Sequence, residues 1–162
     1  METCAITHSV QASHLTTLQV EPVESFVREA TPLIYAHWQE LGLDLDLRGD
    51  PDFDKMAMLE KAGLWHVLTA RNEGKLVGYL WALLTPHLHY RNSGLMLIVD
   101  AYYVAPEYRR GTGLALLKFM ESFAHEKQAI KIYLTCKVHR DQSKLFTALG
   151  YRLSDYAFTK RI

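Results

Sequence analysis

The sequence predicts a layered α/β domain built around a mixed sheet. Two observations carry this. Strand-like segments alternate with segments whose apolar residues recur at helical spacing, in the order strand, helices, two strands, strand, helix, strand, helix, strand. The composition is that of a packed core: 49% hydrophobic and 22% charged residues over 162 positions, enough chain for one domain.

Each element has its own warrant. The first 14 residues lack a periodic pattern and are expected to be weakly structured, with one domain spanning 15–162. "HLTTLQVEPV" alternates as a first strand. "PVESFVREA" reads as a short helix with Pro22 near its start. Thr31–Pro32 reads as a new cap and first-turn proline. "PLIYAHWQEL" is then a second helix, or the first continued after a kink, stopped by Gly42. "DFDKMAMLEKAG" is a further short helix, with Asp52 or Asp54 at its start and Gly63 beyond its end. "LWHVLTARNEGKLVGYLWALL" is a hairpin turning at Asn72–Glu73–Gly74.

"TPHLHYRNSG" is a loop, and "LMLIVDAYYV" an apolar, central strand. From Gly113 to Lys127 the residues Leu114, Leu117, Met120, Phe123 and Ala124 fall at helical spacing. "IKIYLTCKV" is a strand, "DQSKLFTAL" a helix ended by Gly150, and "YRLSDYAFTKRI" a closing strand. Trp38, Trp65 and Trp81 lie in apolar patterns and are assigned to the core.

Charge and cysteine usage exclude some classes. Lys+Arg and Asp+Glu are 18 each, so bulk charge gives no basis for nucleic-acid binding. Cys4 and Cys136 have neither metal nor redox spacing, which suits a reducing, cytoplasmic setting. Met1 to His14 lacks the apolar segment of a signal peptide, and no apolar run approaches the roughly 20 residues of a membrane helix. Among the acids Asp44, Asp46, Asp50, Asp52 and Asp54, most are expected to be solvated or at a helix start. Together they can also attract a cationic amine.

The densest chemical signal is "APEYRRGTGLALLKFM", Ala105 to Met120. A helix N-terminus offers free backbone N–H groups and the positive end of the helix dipole. Gly111 and Gly113 let an anion approach that backbone closely. Arg110, beside Arg109, adds charge and planar donors suited to phosphate. There is no G-K-[ST] as in a P-loop and no G-x-G-x-x-G of the dinucleotide type. By itself this glycine pair fits a bare structural turn equally well.

Read from Arg110, "RGTGLA" fits R-x-x-G-x-[G/A], following a strand that ends at Val104 and a "PEYR" turn. This resembles the acyl-CoA signature of the GNAT superfamily of N-acyltransferases. The later "IKIYLTCKV", "DQSKLFTAL" and "GY" match that family's C-terminal half. "HLHY", Asp100 and the "LGYR…D…KR" tail are most similar to its phage-encoded members. The resemblance covers about Leu15 to Ile162. It implies a mixed, mostly antiparallel sheet with two splayed central strands, here Leu95–Val104 and Ile130–Val138, flanked by helices. It also implies acetyl-CoA as donor, with pantetheine paired to Tyr102, Tyr103 and Val104. The pyrophosphate would lie on Arg109, Arg110, Gly111, Thr112, Gly113, Leu114 and Ala115. The partners implied are coenzyme A and an amine acceptor; no metal is implied.

The chain departs from the family pattern at the general acid. Many members carry a tyrosine four residues before the glycine of "GF/GY", where this chain has Phe146, and an asparagine where it has His139. A phenyl ring donates no proton. Tyr151 and Tyr156 are close in sequence. For the base the candidate is Asp100, a carboxylate in an otherwise apolar run that must be paired, hydrogen-bonded or functional. Its structural alternatives are a bulge or a pairing with Arg91. His87 and His89 form an H-x-H with no third metal ligand in view, so His89, or Tyr90 beside it, is instead a catalytic-pocket candidate. Lys137 ends a strand near the expected cofactor mouth.

Three functions remain in play at this level. The first is an N-acetyltransferase moving acetyl from acetyl-CoA to a primary amine. The second is a GNAT domain that binds acyl-CoA or a protein partner without turnover. The third is an unrelated α/β protein that offers the Arg110 turn to another phosphate, such as a nucleotide. An apolar edge strand near the C-terminus would suit a homodimer.

Overall fold

The computed structural model describes residues 16–42, 49–87 and 92–162. The elements are β1 (Thr16–Glu21), α1 (Val23–Leu41), α2 (Phe53–Lys61), β2 (Trp65–Asn72), β3 (Lys75–Pro86), β4 (Leu95–Val104), α3 (Arg109–Glu126), β5 (Ala129–Tyr133) and α4 (Ser143–Ala148). Single 3-10 turns occupy Pro106–Tyr108 and Val138–Arg140. Among the described residues the sheet has five strands in the order β1-β2-β3-β4-β5. Pairing is antiparallel throughout except for β4 with β5. This is the mixed, mostly antiparallel sheet flanked by helices that the sequence leads one to expect.

Each sheet face has its own core. On one, Phe26, Ala30 and Ile34 of α1 pack on Val67, Tyr79, Trp81 and Tyr103. On the other, Leu116, Leu117, Met120 and Phe123 of α3, with Phe146 of α4, pack on Leu68, Leu80, Leu97 and Val99. The hairpin turn is as expected: Glu73 and Gly74 both take positive φ, at 49° and 84°, which a two-residue turn of the favoured hand requires. Asp52 caps α2, its carboxylate accepting from the Lys55 N–H at 2.9 Å. Trp65 and Trp81 are buried and Trp38 half-buried.

Of the two arrangements expected around Pro32, the structure has the single helix: residues 23–41 form one helix that carries Pro32 inside it. Phe26, Ala30 and Ile34, spaced four apart, are buried on one stripe that runs past the proline. Continuous burial of that stripe outweighs the local break signal. Other expectations require correction. In α3 Leu114 is 38% exposed, and the inward stripe runs through Thr112 and Leu116 before it reaches the expected Leu117, Met120, Phe123 and Ala124. The strand expected at Ile130–Val138 ends at Tyr133, because its partner β4 stays paired with it only as far as Ile98. The closing strand expected after Gly150 is not formed. Residues 151–162 have no regular structure, and Leu153, Tyr156, Phe158 and Ile162 are 77–120% exposed. The weakly structured N-terminus expected at 1–14 lies outside the described residues.

Candidate active site

The site begins with a fault in the β3–β4 ladder. Trp81 faces Ala101 and Ala82 faces Val99, so Asp100 is the extra residue of a bulge. The bulge inverts the alternation of β4. Leu97 and Val99 lie in the α3-side core, yet beyond the bulge Ala101 and Tyr103 lie in the α1-side core, and Tyr102 and Val104 return to the α3 side. The parallel pairing of β4 with β5 also stops here, at Ile98–Tyr133, while β4 continues to Val104. Beyond Ile98, the edge of β4 that faced β5 has no strand partner among the described residues.

Asp100 itself reaches solvent and makes no hydrogen bond or ion pair with another described residue. Partial desolvation holds its carboxyl above the usual carboxylate range. The bulge named as one structural alternative is therefore present; the other, a pairing with Arg91, lies outside the described residues.

The freed end of β4 leads through the Pro106–Tyr108 turn into α3. Arg110 (ψ 80°) and Gly111 (φ 90°) interrupt the helical backbone, so regular helix starts at Thr112. The first N–H groups of that turn have no intrahelical acceptor. The two glycines serve different needs. Gly111 has open space where a Cβ would sit, and it is its left-handed φ that calls for glycine. A Cβ at Gly113 would collide with the hydroxyl of Tyr102. Tyr102 is thereby seated under the turn, and burial pushes its hydroxyl pKa up. Arg110 is exposed.

Arg109 points elsewhere. Its Nη2 donates to Glu40 Oε2 at 2.6 Å and its Nε to the Val104 carbonyl at 2.9 Å. Its guanidinium lies 5.4 Å from the centre of the Tyr103 ring. Tyr103 donates to the same Glu40 oxygen at 3.1 Å, and Arg140 lies 3.9 Å from the other. The Arg109 hydrogen bond outweighs partial desolvation and holds the Glu40 carboxyl below its usual range.

His37 completes the group. Its ring stacks on Tyr103 at 4.7 Å and 11°, and its Nδ1 lies 2.6 Å from the Tyr79 hydroxyl. Burial pulls its pKa down to about 4, which leaves the imidazole neutral at neutral pH. Burial also pushes the Tyr79 hydroxyl pKa up, with Asp100 contributing. His37, Glu40 and Tyr79 are not among the candidates that the sequence motifs single out. The available signal was their register: His37 and Glu40 are three apart on one helix, in phase with buried Ile34.

The other candidates fall as follows. His89, Tyr90 and Arg91 lie outside the described residues. Among the described residues no cluster of His, Cys, Asp and Glu is arranged to hold a metal. Phe146 is buried, 6.2 Å from the Tyr151 ring. Burial and the nearby Glu121 push the Tyr151 hydroxyl pKa up, and Tyr156 is exposed. Lys137 is exposed just before the Val138–Arg140 turn. No helix among the described residues is long and apolar enough to cross a membrane.

Comparison with known proteins agrees with this geometry. The model of the Acetyltransferase (GNAT) family matches residues 23–151. A ribosomal-protein-alanine N-acetyltransferase from Brucella melitensis biovar Abortus 2308 is similar at 22% identity and TM-score 0.69, over 91% of this chain and 99% of that one. A transcriptional regulator from Bacillus halodurans C-125 superposes with TM-score 0.74 at 19% identity, over 91% and 99%. A glucosamine-6-phosphate N-acetyltransferase from Arabidopsis thaliana superposes with TM-score 0.69 at 16% identity, over 90% and 97%. At these identities the likeness is one of fold. The comparison with curated proteins gives no match. With the family model covering the bulge, the split and the glycine turn, the chain belongs to the GNAT family of acetyltransferases.

Proposed function

We propose that the protein transfers the acetyl group of acetyl-CoA to a primary amine. One observation carries this reading: β4 leaves β5 at the bulge that exposes Asp100, and its freed end runs directly into the open helix N-terminus at Gly111–Gly113. A thioester on an extended arm, ending in a pyrophosphate, fits that continuous track. The arm would pair with the backbone of Tyr102, Tyr103 and Val104. The pyrophosphate would take N–H groups from Gly111, Thr112, Gly113, Leu114 and Ala115, with Arg110 supplying charge. Arg109, held by Glu40 and the Val104 carbonyl, would act by fixing the turn.

The amine must attack in its neutral form. Asp100 would take the ammonium proton, directly or through water, and its raised pKa makes it a better base at neutral pH. His89, on the loop leading into β4, is the second candidate for the amine side. The amine nitrogen bonds to the acetyl carbon, the C–S bond breaks, and coenzyme A departs as thiolate or thiol. A backbone N–H at the freed end of β4 would steady the developing oxyanion. Much of the rate would come from holding donor and amine together.

A second reading has one observation in its favour. Phe146, where many relatives carry the acid, is a buried core residue, so thiolate departure lacks its usual proton donor. A domain that binds acyl-CoA without turnover would show this. Release of free thiol from acetyl-CoA separates the two, with a panel of polyamine, amino sugar, aminoglycoside, peptide N-terminus and protein lysine. The enzyme reading expects amine-dependent release with at least one class. Binding of acetyl-CoA without release for any class would favour the second reading.

A further inference from the structure

The α1 face of the split carries opposite charges at its two ends. At one end stands the carboxylate of Asp100, which makes no hydrogen bond or ion pair with another described residue. Its charge acts on the Tyr79 hydroxyl in the α1-side core. At the other end is a cationic cluster. Arg109 comes from the chain that follows β4, and Lys137 and Arg140 from the chain that follows β5. Glu40 of α1 stands among them, 2.6 Å from Arg109 and 3.9 Å from Arg140.

Three cations thus share one carboxylate, and it does not satisfy them. Glu40 Oε2 accepts from Arg109 and from Tyr103 at 3.1 Å. Arg140 lies beyond hydrogen-bond distance of Oε1, with its side chain 55% exposed. Lys137 is exposed and has no ion-pair partner among the described residues. Its charge and that of Arg109 both disfavour a proton on His37, against Glu40, so all three groups bear on one ring. Glu107 and Asp141 are near in sequence, yet neither neutralises the cluster. Glu107 pairs with none of its cations among the described residues, and Asp141 accepts from the Ser143 N–H at 2.8 Å at the start of α4. A positive excess therefore stands at this end, in a chain whose formal net charge is zero.

Such a face suits a ligand of matching polarity. An amine would give up its proton at the Asp100 end. An anion on the same molecule would meet Arg140 and Lys137, whose donors suit phosphate or carboxylate. Tyr103, whose hydroxyl reaches the cluster, lies three residues beyond Asp100 on β4, which sets the two ends about 10 Å apart. A second cation in place of the anion would be repelled.

On the reading that this site transfers acetyl to an amine, we propose that the acceptor is a small primary amine that also carries a phosphate or carboxylate, its nitrogen at Asp100 and its anion on Lys137 and Arg140. Arg109 stays with Glu40 and holds the turn.

The test compares amines of one chain length: aminohexyl phosphate, aminohexanoate, aminohexanol and diaminohexane. Binding of each is measured by calorimetry, to the full chain alone and saturated with coenzyme A, and thiol release from acetyl-CoA is followed with each. The wild type is set against a variant carrying Lys137→Glu and Arg140→Glu. The anionic amines should bind at least about tenfold more tightly than aminohexanol, and diaminohexane most weakly, with kcat/KM in the same order. The phosphate and carboxylate arms tell which anion is preferred. In the variant that preference should vanish while acetyl-CoA affinity stays nearly constant. Equal binding of anionic amines and aminohexanol would overturn the proposal, as would a preference for diaminohexane. So would an anion preference that survives in the variant, since the anion would then lie elsewhere. A variant that loses acetyl-CoA affinity with its amine preference intact would assign the cluster to the donor and overturn it as well. Anion-dependent binding without thiol release would support the anion site and count against transfer, so the two readings fail separately.

Discussion

Two arginine–glutamate networks in this molecule use the same chemistry in different surroundings. Arg71 holds Glu21 with Nε at 2.6 Å and Nη2 at 2.9 Å, and its Nη1 reaches Glu29 and the Gly74 carbonyl. Glu21 also accepts from Thr69 and Gln19. The side chains are 14% and 6% exposed. Arg109 holds Glu40 at 2.6 Å, with side chains 43% and 18% exposed. The first network ties β1 and β2 to α1 and lies away from the split between β4 and β5. The second stands where α1, the freed end of β4 and the glycine turn meet. The difference teaches that two pairs of the same ion-pair geometry differ in burial, and so in how much of the fold rests on each.

The strongest way to break this comparison is Glu21→Ala. It removes the least exposed of the Arg71 partners, leaving only Glu29 and the Gly74 carbonyl as acceptors, and should cost about 3 kcal/mol in denaturant unfolding. A loss below about 1 kcal/mol would mean the first network is no more structural than the second.

His37 sharpens the contrast through pH. Its pKa is 6.5 in its ordinary setting and about 4 in the fold, where burial disfavours the charged ring. The stability tied to its neutral form is complete above pH 6.5 and drains away as pH falls toward 4. At the lower end the loss reaches about 3 kcal/mol. Urea unfolding of the wild type against His37→Phe over that window should show a steeper decline in the wild type; parallel curves would contradict the burial of a neutral imidazole.

Asp100→Asn addresses the site directly. It keeps the bulge but removes the proposed base. Acyl transfer should fall about a hundredfold while acetyl-CoA affinity stays nearly constant. An unchanged rate at every pH would remove Asp100 from the chemistry. Glu40→Ala should have the smallest effect on stability, at most about 1 kcal/mol by thermal unfolding, because the pair is partly solvated. A loss matching that of Glu21→Ala would erase the distinction between the networks.

Much of the glycine turn is legible in the sequence because its constraints are local. "RGTGLA" places Gly111 at the one backbone position with left-handed φ in the turn, and Gly113 where the chain passes Tyr102. The hairpin at Glu73–Gly74 and the Asp52 cap are local in the same sense. The α1-side network is not legible. His37 meets Tyr79 across 42 residues and Glu40 meets Arg109 across 69, so no window of sequence holds both partners. Pro32 gives a true local signal that packing of Phe26, Ala30 and Ile34 overrides. "YRLSDYAFTKRI" has a strand pattern, but a strand also needs an edge to pair with, and the pattern does not say whose.

The most direct measurement is a calorimetric titration of the wild type and Arg110→Glu with acetyl-CoA, each against ATP. A track along the freed end of β4 that finishes at the α3 N-terminus predicts micromolar binding of acetyl-CoA to the wild type. It also predicts no comparable heat from ATP and a marked loss of affinity in Arg110→Glu. Equal binding of ATP, or an acetyl-CoA affinity indifferent to Arg110, would contradict it.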